Sequence, residues 1–107
     1  MLDGLWHIRY RVSGRQLGGV LVIRDGEIWG GDTGFIFTGT VRLLGKDVFG
    51  ELRMRRVLRS VEPAVLGLSD FSLNLTGSFS KSGLDIVGII KGISDVALRI
   101  HATRYVR

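Results

Sequence analysis

The chain has 107 residues, 45% of them hydrophobic, a size for one domain with one core and a composition that excludes general disorder. Lysine and arginine outnumber aspartate and glutamate 15 to 10, a net charge of +5. Zero cysteines exclude disulfides and thiol chemistry, and no apolar run approaches the ~18–20 residues that a spanning helix needs.

Met1-Leu2-Asp3-Gly4 carries neither a basic region nor an apolar stretch of the signal-peptide kind. Alternation then dominates. Trp6, Ile8, Tyr10 and Val12 alternate with His7, Arg9 and Arg11, the period of a half-buried strand. Gly18 to Arg24 is a dense apolar strand, closed by Asp25-Gly26, a pair suited to a type I′ hairpin turn. Glu27 to Asp32 reads as a short third strand. Its Gly30-Gly31-Asp32 lacks the lysine and following helix of a phosphate loop, so it reads as a bend in which Asp32 binds the next backbone amides.

Phe35, Phe37, Gly39, Val41 and Leu43 line the inner face of a fourth strand. After Gly45-Lys46-Asp47, the residues Val48, Gly50, Leu52 and Met54 line a fifth. Ser60 to Ser69, with the sole proline Pro63, is the longest connection and has room for one helical turn. Phe71, Leu73, Leu75, Gly77 and Phe79 face inward on the next strand; Leu84, Ile86, Gly88 and Ile90 do so on the one after the polar turn Ser80–Gly83. Gly92 to Asp95 turns again, and Val96, Leu98, Ile100 and Ala102 complete the inner face opposite Arg99, His101 and Thr103.

One pattern is written twice. Thr38-Gly39-Thr40-Val41 with Asp47-Val48-Phe49-Gly50 matches Thr76-Gly77-Ser78-Phe79 with Asp85-Ile86-Val87-Gly88 at a constant offset of 38 residues. Glycines inside strands let a sheet curl closed. About eight short-linked strands with such glycines predict an all-β, antiparallel up-and-down barrel, lipocalin-like, over residues 1–107 as a single domain.

Parity places Trp6 inside, beside the late Arg104, as a barrel-closing cation–π pair. The inward glycines remove volume, so Tyr10, Phe35, Phe37, Gly39, Gly50, Phe71, Gly77, Phe79, Gly88 and Ile90 are the candidate lining of a cavity for a small apolar ligand. Leu21, Ile23, Ile36, Phe49, Val87 and Ile89 take outward parity. Five of them, Leu21, Ile23, Phe49, Val87 and Ile89, form the candidate homodimer face. Lys46, Asp47, Arg53, Arg55 and Arg56 form a candidate partner-contact surface. The arginine cluster, which extends to Arg59, has no interleaved aromatics, and this argues against nucleic acid. His7 and His101 take outward positions with no nearby carboxylate or cysteine set, which makes a poor metal site. No serine elbow and no paired carboxylates announce an enzyme, and nothing calls for a cofactor or a membrane.

Gly4-Leu5-Trp6, Gly18-Gly19-Val20, Asp25-Gly26, Gly30-Gly31-Asp32 with Phe35, Phe37 and Gly39, Gly67-x-x-Asp70, Leu73-x-Leu75-x-Gly77 and Thr103-Arg104 run in order over nearly the whole chain. In these the chain resembles the GrlR-like family of bacterial proteins. The resemblance implies a lipocalin-like barrel that dimerises in the cytoplasm and, as a negative regulator of type III secretion genes, sequesters a transcriptional activator by protein contact. The family's name-giving member carries an acidic run between its fourth and fifth strands, and Gly45-Lys46-Asp47 departs from it.

Overall fold

A computed structural model describes residues 1–12, 14–58, 67–93 and 96–106. Eight strands follow in order: β1 (Gly4–Val12), β2 (Arg15–Arg24), β3 (Glu27–Gly31), β4 (Phe35–Leu44), β5 (Asp47–Arg56), β6 (Asp70–Ser80), β7 (Gly83–Ile90) and β8 (Ala97–Arg104). Each pairs antiparallel with its neighbours, and β1 pairs with β8, so the sheet closes into an all-β barrel without edges. No residue among those described is helical. The expected long connection falls largely on residues 59–66, and half of the Gly92–Asp95 turn on residues 94–95. These lie outside the described residues, as does Arg59.

Closure follows from local chemistry. Asp25 and Gly26 both take positive φ (51° and 80°), as a type I′ turn demands, and this pins Arg24 opposite Glu27 and Val22 opposite Trp29. Period-two alternation then sends one side of every strand inward. Trp6, Phe37, Val48, Leu73 and Ile90 are almost wholly buried, and among the described residues no polar or charged one is buried beside them.

The twofold sequence pattern is a repeat of faces, not of pairings. In the first copy the turn sits at Gly45-Lys46 and Gly39 lies opposite Leu52. In the second the turn comes two residues earlier relative to the pattern, at Lys81-Ser82, so Gly77 lies opposite Ile86. An even displacement keeps every side chain on its face.

The strand glycines correct a sequence expectation. A Cβ on Gly39 would run into the backbone oxygen of Glu51, one on Gly50 into that of Thr40, and one on Gly77 into that of Asp85. These glycines permit neighbouring strands to approach where the sheet curls; they do not open a cavity. A Cβ on Gly88 would meet Leu73 Cδ1 at 3.1 Å and Leu75 Cδ2 at 3.4 Å, so that space is filled by leucine.

Candidate functional site

The barrel offers two ends, an interior and an outer face. At the end where the chain begins, Trp6 is 1% exposed and donates its Nε1–H to the Leu2 carbonyl at 2.9 Å. The Arg104 guanidinium carbon lies 4.7 Å from the centroid of the Trp6 ring, and Arg104 also donates to the Met1 carbonyl. Leu2 is thereby folded over the opening, and Phe79 packs edge-on to Trp6 at 6.4 Å between centroids.

The opposite end has a different closure, which sequence reasoning found only in part. Asp32 Oδ1 accepts the Gly34 and Phe35 backbone N–H groups, both at 2.9 Å, as the bend expectation required. Its other oxygen, Oδ2, accepts the hydroxyl of Tyr10 at 2.9 Å. Burial, reinforced by the hydrogen bond to Asp32 and its charge, pushes the Tyr10 phenol well above its ordinary range. The tyrosine therefore stays a neutral donor. Inward parity put Tyr10 in the barrel, but its reach across two strands to Asp32 has no local signal.

Between these ends the interior is nearly full. A void of about 50 Å³ lies within it, bordered by apolar side chains that include Ile8, Leu21, Val48 and Ala102, and a more open cleft of about 310 Å³ at the Met1–Asp3 end is walled in part by Ile23, Val41 and Leu43. None of the ten expected cavity-lining residues borders the void. Tyr10, Phe35, Phe37, Phe71 and Ile90 are packed core, and Phe79 is partly buried against them. Small-molecule sites measure ~300–1,000 Å³. The void holds a few methyl groups at most.

The outer face changes the expected interaction residues. Leu21 and Ile23 are buried, at 8% and 3% exposure. Leu21 pairs with the inward Trp6, so the parity of this continuous apolar strand is the reverse of the one expected. Val20 and Val22 face outward instead. Phe49 remains exposed, while Val87 and Ile89 are half-buried. The larger apolar face lies elsewhere: Leu5, Val22 and Trp29 stand side by side across β1, β2 and β3. Val20 and Ile36 flank Gly31 in the next row, where the Ile36 side chain covers the glycine. These five side chains are each between 40 and 50% exposed.

The expected charged surface also divides. Lys46 and Asp47 sit at the β4–β5 turn, whereas Arg53 and Arg55 lie six or more residues along β5, about 20 Å away at ~3.3 Å per residue. Arg53 grips Asp70 with two hydrogen bonds of 2.8 and 3.0 Å, and Arg55 approaches the same carboxylate at 3.9 Å. The hydrogen bond from Arg53 holds the Asp70 carboxyl below its usual range. Arg56 is half-buried and on the other parity. His101 is corrected too: its Nδ1 lies 2.7 Å from Asp85 Oδ1, a carboxylate partner that the sequence reading did not foresee. No group of three metal-ligating side chains occurs among the described residues. No helix there is long and apolar enough to cross a membrane.

The family model described as "T3SS negative regulator, GrlR" matches residues 1–106. The chain belongs to the GrlR family. The family is described as a negative regulator of type III secretion, a regulatory class, and the match agrees with the resemblance read from Gly4-Leu5-Trp6 through Thr103-Arg104. Among curated proteins, none matches the chain.

Proposed function

We propose that this GrlR-family chain is a cytoplasmic regulatory protein that represses type III secretion genes by holding a transcriptional activator through protein contact. The observation that carries this reading is the filled barrel. An interior void of about 50 Å³ supports recognition on the outer surface over carriage of a ligand inside.

The proposal includes a homodimer. Leu5, Val20, Val22, Trp29 and Ile36 make a contiguous exposed apolar face over four strands, of the kind that marks an interaction site. Self-association about a twofold axis is the commonest way to cover such a face. It supersedes Leu21 and Ile23, which are core, and it is more exposed than Phe49, Val87 and Ile89.

The test is transcriptional. In the native host, an extra copy of the wild-type gene should lower transcripts of type III secretion operons, and deletion should raise them. Unchanged transcripts in both strains would contradict the regulatory reading.

A further inference from the structure

The outer face of β1, β8 and β7 carries a second surface that the repressor reading does not use. Arg11 lies directly opposite Arg99 across the β1–β8 ladder, and Arg9 lies opposite His101. Across β7–β8, Arg99 is opposite Val87 and His101 opposite Asp85. These residues, with Gln16 and Ala97, line an open groove of about 520 Å³. Facing like charges destabilise a ladder. Among the described residues, no carboxylate lies within salt-bridge distance of Arg9, Arg11 or Arg99. The groove's own carboxylate, Asp85, is held by His101 at 2.7 Å.

Arg9, Arg11 and Arg99 thus line one open groove together with the apolar Val87 and Ala97. Each guanidinium is a planar fork suited to a carboxylate. Arg9 and Arg11 are two residues apart on one strand, hence ~7 Å apart, the spacing of alternate side chains on an extended peptide. We propose that this groove docks an extended acidic segment of a partner protein, with carboxylates at alternate positions on the arginines and an apolar residue against Val87 and Ala97. The proposal rests on the reading of the chain as a protein-capturing regulator. A second copy of the chain does not suit the groove, because a twofold axis there would set guanidinium against guanidinium. Nucleic acid suits it poorly: the one aromatic at its edge, Tyr10, is buried and committed to Asp32, so no stacking platform is present.

The experiment is fluorescence anisotropy of the full chain with a labelled peptide of alternating glutamate and leucine, and in parallel with labelled single-stranded and duplex DNA. Arg99→Glu and Arg9→Gln are compared with Arg42→Glu, a reversal on the exposed part of β4 away from the groove. Circular dichroism of each variant verifies the fold. The peptide should bind, Arg99→Glu should weaken it by about tenfold or more, and Arg42→Glu by no more than about twofold. Equal weakening by Arg99→Glu and Arg42→Glu would reduce the effect to net charge and overturn the proposal. Absence of peptide binding, or tighter binding of either DNA, would overturn it as well. Repression by the wild type without peptide binding would sink the groove and leave the regulatory reading standing.

Discussion

Replacing Trp6 with alanine tests the closure of the barrel most severely. The indole is 1% exposed and packed against Phe79, so nearly all of its surface leaves water on folding. A buried tryptophan truncated to alanine costs ~3–5 kcal/mol, combining lost transfer energy with the cavity left behind. The cation–π contact adds ~0.5–1 kcal/mol, the low end of its range, because Arg104 is exposed. The buried hydrogen bond to the Leu2 carbonyl is lost as well, which adds to the cost. The loss of ~3.5–6 kcal/mol is large beside a domain stability of ~5–15 kcal/mol. At ~4–8 °C per kcal/mol for a domain near this size, the melting temperature should fall by about 15 °C or more. Thermal unfolding followed by far-ultraviolet circular dichroism measures it. Arg104→Ala, which removes the contact and leaves the ring in place, should cost only ~0.5–1 kcal/mol. A Trp6→Ala protein within about 1 kcal/mol of wild type would refute the reasoning, because truncating a buried tryptophan typically costs ~3–5 kcal/mol.

Gly39→Ala should destabilise more than Gly88→Ala in urea unfolding. The new Cβ at 39 meets a neighbouring backbone oxygen, whereas at 88 it meets leucine side chains that can yield at ~1–3 kcal/mol; the reverse order would contradict the packing described. Tyr10→Phe should cost ~1.5–3 kcal/mol at neutral pH, the range for a hydrogen bond to a charged acceptor. The Tyr10 phenol titrates higher folded than its ordinary value of 10.0, so its contribution is complete below about pH 10 and fades as pH rises toward the folded value. Alkaline unfolding curves of wild type and Tyr10→Phe should therefore converge, and parallel curves would count against the Asp32 bond. Val22→Asp with Trp29→Asp should yield a folded monomer in sedimentation, while a dimer that persists would remove this face from consideration.

The strand count, the closure and the inner faces of β1 and of β4 to β8 were legible because alternation, Asp25-Gly26 and the strand glycines all act within a few residues. What failed depended on partners. Val20-Leu21-Val22-Ile23 is apolar on both faces, so parity has no local signal; the tight turn at Asp25-Gly26 sets Val22 opposite Trp29 and held the answer through its register. The glycines were read as absent volume, although in a curled sheet that volume belongs to the next strand's carbonyl. Arg53 was read as part of a partner-contact surface because Asp70 is 17 residues away in sequence and comes within reach, opposite Arg55, only through the β5–β6 pairing. The Tyr10–Asp32 and His101–Asp85 contacts were missed for the same reason. The basic groove needs the β1–β8 ladder, which unites the two ends of the chain.

The central claim is that a filled barrel meets its partners on its outside. Native mass spectrometry of the purified full chain tests it in one spectrum. The account predicts a species of twice the 11.8 kDa chain mass with nothing added. A chain that retains a lipid-sized mass through gentle desolvation would contradict the filled interior, and a lone 11.8 kDa species at micromolar concentration would contradict the apolar dimer face.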